Sequence, residues 1–359
     1  MHRIAEIAAM VRAADAHCVM LTGEVHLTYA AGETAFEGKC LIFADGAARF
    51  ITDGRYIERA EKLLVPKGFM VSARPAQMSE KEYLKQLFEQ HHAERVLFED
   101  DVLTYRQCCH LEDDMPMIDW LPLGEHLAML RMRKSAEEIA CIQKAQRIAE
   151  QALTQLLPTL HEGITEREAA ARLDYLMALG GSEQPSFQTI LLFGERASMP
   201  HGVPEDRKLR RGDCILIDFG AVYRGYHSDM TRTFAFGEAS PAFVQAYDAV
   251  LQAQQAAIAQ AKAGLPCRLM HEAAVNTLAD AGLGAYFTHA LGHSVGLEIH
   301  ESPSASSRCE QPLENGVVMT VEPGVYLPGA FGIRIEDMVV IQEDTPQNLT
   351  AFPKHLQTL

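Results

Sequence analysis

The stretch Cys-Ile-Leu-Ile-Asp-Phe-Gly-Ala-Val-Tyr-Arg-Gly-Tyr-His-Ser-Asp-Met-Thr-Arg-Thr, from Cys214 to Thr233, constrains the fold most. Two apolar runs flank a turn near Tyr223–Gly225, the pattern of a β-hairpin. With the turn centred between Tyr223 and Arg224, Asp218 and Asp229 stand directly opposite each other. Opposed residues share a face of the sheet, with Cβ atoms ~4.5–5.5 Å apart. A slip of one residue would place them on opposite faces. Two aspartates facing each other in an apolar sheet repel strongly unless a cation lies between them; the alternative is that both merely flank a solvated turn.

The same device recurs near the C-terminus. In Glu-Pro-Gly-Val-Tyr-Leu-Pro-Gly-Ala-Phe-Gly-Ile-Arg-Ile-Glu, Glu322 and Glu336 are equidistant from Gly329 and face each other across a second candidate hairpin. By strand alternation Tyr326 and Arg334 share their face if no bulge intervenes. Pro323 is the place where one could intervene, because proline inside a strand favours an edge or a bulge. Between the hairpins, His289, His293 and His300 fall within twelve residues, interleaved with Gly292 and Gly296. A lone histidine is more often a satisfied core residue, but three beside four carboxylates point to a site.

Hard carboxylate oxygens with an imidazole suit Mn²⁺, Co²⁺ or Zn²⁺ better than copper or an iron–sulfur cluster. Four carboxylates balance two divalent ions. Water held by such ions becomes a nucleophile, since its pKa falls from ~15.7 to about 7.

The rest of the chain supplies a frame. Its 359 residues suit about two domains of ~150 residues. The first third alternates strands (Val19–Leu21, Lys39–Phe43, Ala48–Thr52) with helices (Arg55–Leu64, Glu80–His91), which predicts a small α/β domain. Ser79 with Glu82 forms a capping box, each side chain satisfying a free backbone N–H. The stretch Glu24–Gly38 reads as a loop, and His91–His92 as part of a charged helix face. The pattern lapses around Met115–Leu130, where Pro116, Trp120, Pro122 and Gly124 interrupt it. The predicted division is 1–125, a connector at 126–134, and 135–359.

Beyond it, Ser135 with Glu138 opens a helix whose apolar stripe runs through Ile139, Ile142, Ala145, Ile148, Ala152 and Leu156. Further helices run from Thr165 to Gly180, from Ser240–Pro241 to about Ala261, and from Leu269 to Ala281. The intervening strand pairs lack crossover helices, so this half is α+β with an antiparallel sheet.

A net charge of −16 argues against nucleic acid as a partner, since phosphate binding needs clustered Lys and Arg. The apolar runs fall far short of the ~20 residues that span a bilayer. Met1–Met10 carries Glu6 and starts an amphipathic pattern, so it does not read as a signal peptide. The eight cysteines show no CxxC and read as reduced cytoplasmic thiols. His271-Glu272 lacks the second histidine of HExxH, and Gly282-Leu-Gly284 lacks the third glycine of a nucleotide loop.

Taken in order, Asp218, Ser-Asp229-Met-Thr-Arg-Thr, Gly292-His293, Val-Glu322-Pro-Gly and Arg-Ile-Glu336-Asp resemble the pita-bread metallopeptidases, across roughly Ser135 to Val340. The resemblance implies that Asp218 chelates one ion, that Asp229 and Glu336 bridge two, and that His293 and Glu322 complete the second. It further implies that His201 lies near the scissile bond and that His300 stabilises the oxyanion. Glu322 would also shuttle a proton. Asp-Gly-Arg55-Tyr56, His289, Tyr326 and Arg334 resemble the creatinase/prolidase branch. That branch implies Xaa-Pro dipeptidase or aminopeptidase activity on short proline-containing peptides and a homodimer. The competing expectations are a broader aminopeptidase that also removes methionine, and a non-catalytic binding module on the same fold.

Overall fold

The computed structural model describes residues 3–359; Met1 and His2, where the amphipathic pattern starts, lie outside the described residues. The chain divides into two compact units, Met1–Arg131 and Met132–Leu359.

The first unit is built on one mixed sheet. Its strands are β1 (Cys18–Leu21), β2 (Lys39–Phe43), β3 (Ala48–Thr52), β4 (Met70–Ala73), β5 (Arg95–Phe98) and β6 (Asp119–Pro122), in spatial order β4-β3-β2-β1-β5-β6. The helices are α1 (Arg3–Ala13), α2 (Glu24–Ala31), α3 (Ile57–Leu64), α4 (Glu80–Gln90), α5 (Tyr105–Asp114) and α6 (His126–Met132). Pairs β1–β2 and β2–β3 are antiparallel, while β3–β4, β1–β5 and β5–β6 are parallel. The Ser79–Glu82 capping box forms as expected.

Three expectations change in this unit. The stretch Glu24–Gly38 is not a loop throughout, because α2 occupies Glu24–Ala31. Nearly all of α2 is buried, so it lacks the one-sided apolar stripe that marks a surface helix. The lapse around Met115–Leu130 holds edge strand β6, and α6 lies where a connector was expected. His91 ends α4 with its ring stacked 3.9 Å from Phe43, rather than standing on a charged face.

The second unit is α+β. Helices α7 (Ala136–Leu156) and α8 (Glu166–Leu179) pack together over β7 (Ile190–Phe193), β8 (Cys214–Phe219) and β11 (Met230–Ala235), a sheet ordered β11-β8-β7. Ribbon β9 (Val222–Tyr223) and β10 (Tyr226–His227) closes the hairpin between β8 and β11. Helices α9 (Pro241–Ala259) and α10 (Arg268–Asp280) cover a second core. It holds β12 (Gly292–Ser294), β13 (Glu301–Ala305), β14 (Val318–Val321), β17 (Asp337–Val340) and β18 (Gln347–Asn348) in order β13-β12-β14-β17-β18. Ribbon β15 (Gly324–Leu327) and β16 (Phe331–Arg334) emerges from β14 and returns into β17.

The second hairpin has the expected register. Gly324 pairs with Arg334 and Val321 with Asp337, so both strand pairs are centred on Gly329. Pro323 introduces no shift within the β15–β16 ladder. The first hairpin differs. Its turn is Arg224–Gly225, both at positive φ, the requirement of a type I′ turn. Tyr223 therefore pairs with Tyr226, and Asp218 stands opposite Thr231 instead of Asp229. The displacement is two residues, so the faces are preserved and Asp229 remains a diagonal neighbour of Asp218.

Candidate active site

Strands β8, β12, β15 and β16 carry Asp218, His293, Tyr326 and Arg334 into one cavity of about 710 Å³, joined by Asp229 just before β11 and Glu322 just after β14. Ligand atoms of Asp218, Asp229 and Glu336, all buried, lie within 4.8 Å of one another. His293 Nε2 stands 3.6 Å from Asp229 Oδ2 and 3.5 Å from Glu322 Oε1. His201, His289, His300 and Tyr326 line the same cavity, with Arg334. Every residue singled out for the site thus reaches it, and the His293 and His300 rings lie 4.3 Å apart.

The electrostatics are those of an unneutralised acidic centre. Burial, then the neighbouring carboxylates, raise Asp229 and Glu336 far above the usual carboxylate range. Burial pushes Glu322 up to about 8, against the opposing pull of Arg334. Asp218 Oδ1, Asp229 Oδ1 and Glu336 Oε1 are buried with no hydrogen-bond partner, each a costly arrangement in a dry interior. Divalent cations fit this donor set: they would bind the orphaned oxygens and remove the mutual repulsion.

One oxygen each of Asp218, Glu336 and Glu322 is held by a neighbour. Arg334 donates through Nη2 to Asp218, through Nη1 to the Tyr326 hydroxyl at 2.7 Å and through Nε to Thr231 Oγ1 at 3.0 Å. Thr231 in turn donates to Glu336 Oε2 at 2.7 Å. Burial opposes the charge on Arg334, but Tyr326, Asp218, Glu322 and Glu336 outweigh it and keep the guanidinium protonated. Thr320 Oγ1 donates to Glu322 Oε1 at 3.1 Å and accepts the His293 N–H at 3.0 Å.

His289 is fixed at both nitrogens. Its Nδ1 lies 2.7 Å from the Ala290 carbonyl and its Nε2 lies 2.9 Å from Tyr326 Oη. The carbonyl only accepts, so Nδ1 carries the proton and Nε2 accepts from the tyrosine. Burial, then the Arg334 charge, lower the imidazole pKa to about 4, which agrees with a neutral ring.

Thr231, Thr320 and Arg232 escaped the sequence reading. Thr231 lies two residues beyond Asp229, so strand alternation alone puts it on the same face. Arg232 points the other way and is almost completely buried. It donates to the carbonyls of Thr231, Glu336, Phe352 and Pro353 and to Asp337 Oδ1, all within 3.0 Å. Nothing in local pattern identifies such a residue, because its partners come from distant segments.

Carboxylates and an imidazole on paired antiparallel sheets define a centre for hard divalent cations. Comparison with known proteins agrees. Residues 140–343 match the model of metallopeptidase family M24, and residues 3–133 match the creatinase/prolidase N-terminal domain. An Xaa-Pro dipeptidase of Pyrococcus furiosus is 39% identical over 257 residues, 72% of this chain and 74% of the relative. The structure of an Xaa-Pro dipeptidase from Bacillus anthracis superposes with a TM-score of 0.93 at 34% identity, covering 99% of this chain and 100% of the other. That of an X-Pro aminopeptidase from Thermotoga maritima gives 0.92 at 32% identity, covering 98% and 100%.

The chain belongs to metallopeptidase family M24, in the creatinase/prolidase branch of the pita-bread enzymes. It is a metallopeptidase, and the non-catalytic reading falls away. No helix among the described residues is long and apolar enough to cross a membrane.

Proposed function

We propose that this chain hydrolyses the bond preceding proline, at the N-terminus of short peptides or in dipeptides, with two divalent cations. The carrying observation is that Asp218, Asp229 and Glu336, clustered within 4.8 Å, each keep one buried oxygen without a partner. Asp218 would hold one ion, Asp229 and Glu336 would bridge both, and His293 with Glu322 would complete the second. Mn²⁺ is the first choice, with Co²⁺ or Zn²⁺ as substitutes. The names of the Pyrococcus, Bacillus and Thermotoga relatives support the Xaa-Pro specificity.

Bound cations of this kind polarise a carbonyl and lower the pKa of water, supplying the nucleophile near neutral pH. The chain's own residues do the rest. His300 donates a hydrogen bond to the carbonyl oxygen as it gains charge, where such donors are most effective. His201 stands beside the scissile bond, and Glu322 carries a proton to the departing imino nitrogen. An Xaa-Pro bond offers no N–H to grip and fixes φ near −65°. Recognition therefore falls on the ring, where His289, held by Tyr326, forms part of the wall.

The test compares hydrolysis of Ala-Pro, Ala-Pro-Ala and Met-Ala-Ser with added Mn²⁺, Co²⁺ or Zn²⁺. Cleavage confined to the proline peptides supports the reading, and the first two separate dipeptidase from aminopeptidase. Cleavage of Met-Ala-Ser at a comparable rate would favour the broader aminopeptidase. The same reading carries a cytoplasmic homodimer, and light scattering at micromolar concentration tests its oligomeric part.

A further inference from the structure

Lys134 immediately precedes the N-cap of α7, yet its side chain is only 1% exposed. Its Nζ donates to Glu301 Oε2 at 2.9 Å and to Ser294 Oγ at 3.2 Å. Ser294 follows His293 in the chain, and Glu301 follows His300. One ammonium group therefore grips the next-door neighbours of both imidazoles that meet in the cavity, whose rings are 4.3 Å apart.

The loop between them is shaped around this contact. Glu301 Oε1 accepts the N–H groups of Leu297 at 3.0 Å and Glu298 at 3.3 Å, closing the segment on itself. A Cβ at Gly296 would lie 2.5 Å from the same oxygen, so the carboxylate reaches these donors only because residue 296 is glycine. Ser294 Oγ also donates to the Val318 carbonyl at 2.9 Å, tying the lysine to the strand beside His293. The β12–β13 register shifts between His293 and Ser294, where a local bulge gives the ladder no regular hold.

We propose that Lys134 is a positioning residue that sets the placement of His300 relative to His293. A buried ion pair gives little net stability against an apolar replacement of the same shape, whereas losing one partner leaves the other charge uncompensated. The contact thus serves geometry: without the lysine, Glu301 turns toward water and takes His300 with it. The kinetic arm of this inference rests on the peptidase reading above; the spectroscopic arm does not.

The experiment is a double-mutant cycle between Lys134→Met and His300→Ala, with kcat, KM and bound Mn²⁺ measured for each protein. Lys134→Met should lower kcat at least ~10-fold, with KM within about threefold and metal stoichiometry unchanged, as expected for a misplaced transition-state donor. In the His300→Ala background the same change should have almost no further effect on kcat, because it acts through the histidine. Wild-type kcat in Lys134→Met, additive losses, or parallel loss of metal would each overturn the proposal. Glu301→Gln, which breaks the ion pair but keeps the side-chain shape, is read in the same way should Lys134→Met fold poorly. If the wild type cuts no Xaa-Pro peptide, the peptidase reading fails alone. Positioning is then decided by the His300 imidazole ¹⁵N resonances: a shift in Lys134→Met supports it, and unchanged resonances refute it.

Discussion

Thr231 stands opposite Asp218 in the β8–β11 pair and donates a 2.7 Å hydrogen bond to Glu336 Oε2, linking one carboxylate hairpin to the other. The same hydroxyl accepts from Arg334 Nε. One threonine thus orients a carboxylate of the second hairpin and anchors the guanidinium that holds Asp218. Thr231→Val should leave the fold intact and weaken divalent-metal affinity by about 10–100-fold, the usual cost of losing a group that orients a ligand. Thr231→Ser should retain most of it. Calorimetric titration with Mn²⁺ measures both, and equal affinity in the valine variant would contradict the role.

Removing one charge from the cluster should separate stability from metal binding. Asp229 and Glu336 are held far above the normal carboxylate range by burial and mutual repulsion. Metal binding therefore stabilises the fold, by ~2.7 kcal/mol when the free ion is at 100 times its Kd. In Glu336→Gln the metal-free protein should melt at or above the wild-type temperature, and the rise in Tm on adding Mn²⁺ should largely vanish. Thermal scans with and without chelator check this; an undiminished metal-induced rise would remove Glu336 from the ligand set.

His300 and His293 should differ in kind. Losing a donor to a developing oxyanion costs ~10²–10³ in kcat. His300→Ala, and similarly His201→Ala, should show that loss with metal content preserved. His293→Ala should lose metal. Elemental analysis beside kcat separates the two. If His300→Ala shed metal as severely as His293→Ala, ligand and donor would have to be exchanged.

His289 makes a prediction about pH. Its pKa is lowered to about 4 in the folded protein, chiefly by burial. In the unfolded chain a histidine titrates near 6.5. Between those values the unfolded state binds more protons, so stability is full above about pH 6.5 and declines as pH falls toward ~4. From pH 7 to pH 5 this group alone accounts for about 2 kcal/mol. Urea unfolding of metal-free His289→Gln should show a shallower acid decline than wild type. Parallel declines would mean that His289 does not titrate as a buried neutral ring.

Much of the site was legible along the chain because β-structure has a period of two. Alternation and turn position alone placed Glu322 against Glu336, and the structure keeps that register through Gly329. At the first hairpin the turn lies one position beyond where the apolar pattern centres it. Arg224 and Gly225 both adopt positive φ, and a non-glycine residue at such a corner gives a weak local signal. The resulting two-residue change in pairing leaves Asp218 and Asp229 on one face. Helix α2 gives no local signal for a related reason: a segment buried on nearly every side has no periodicity to detect.

What the chain determines by itself is therefore which carboxylates and imidazoles are candidate donors, the face each hairpin carboxylate occupies and the excess of negative charge they would bring together. The tertiary structure alone decides which strands meet. It sets β11 beside β16 and β17, so that Thr231 reaches Glu336 and the Thr233 hydroxyl donates to the Arg334 carbonyl at 3.0 Å. It also carries Lys134 across 160 positions of sequence to Ser294 and 167 to Glu301. The physical reason is range: periodicity and turn chemistry act over a few residues, whereas these contacts exist only after two sheets have packed and excluded water.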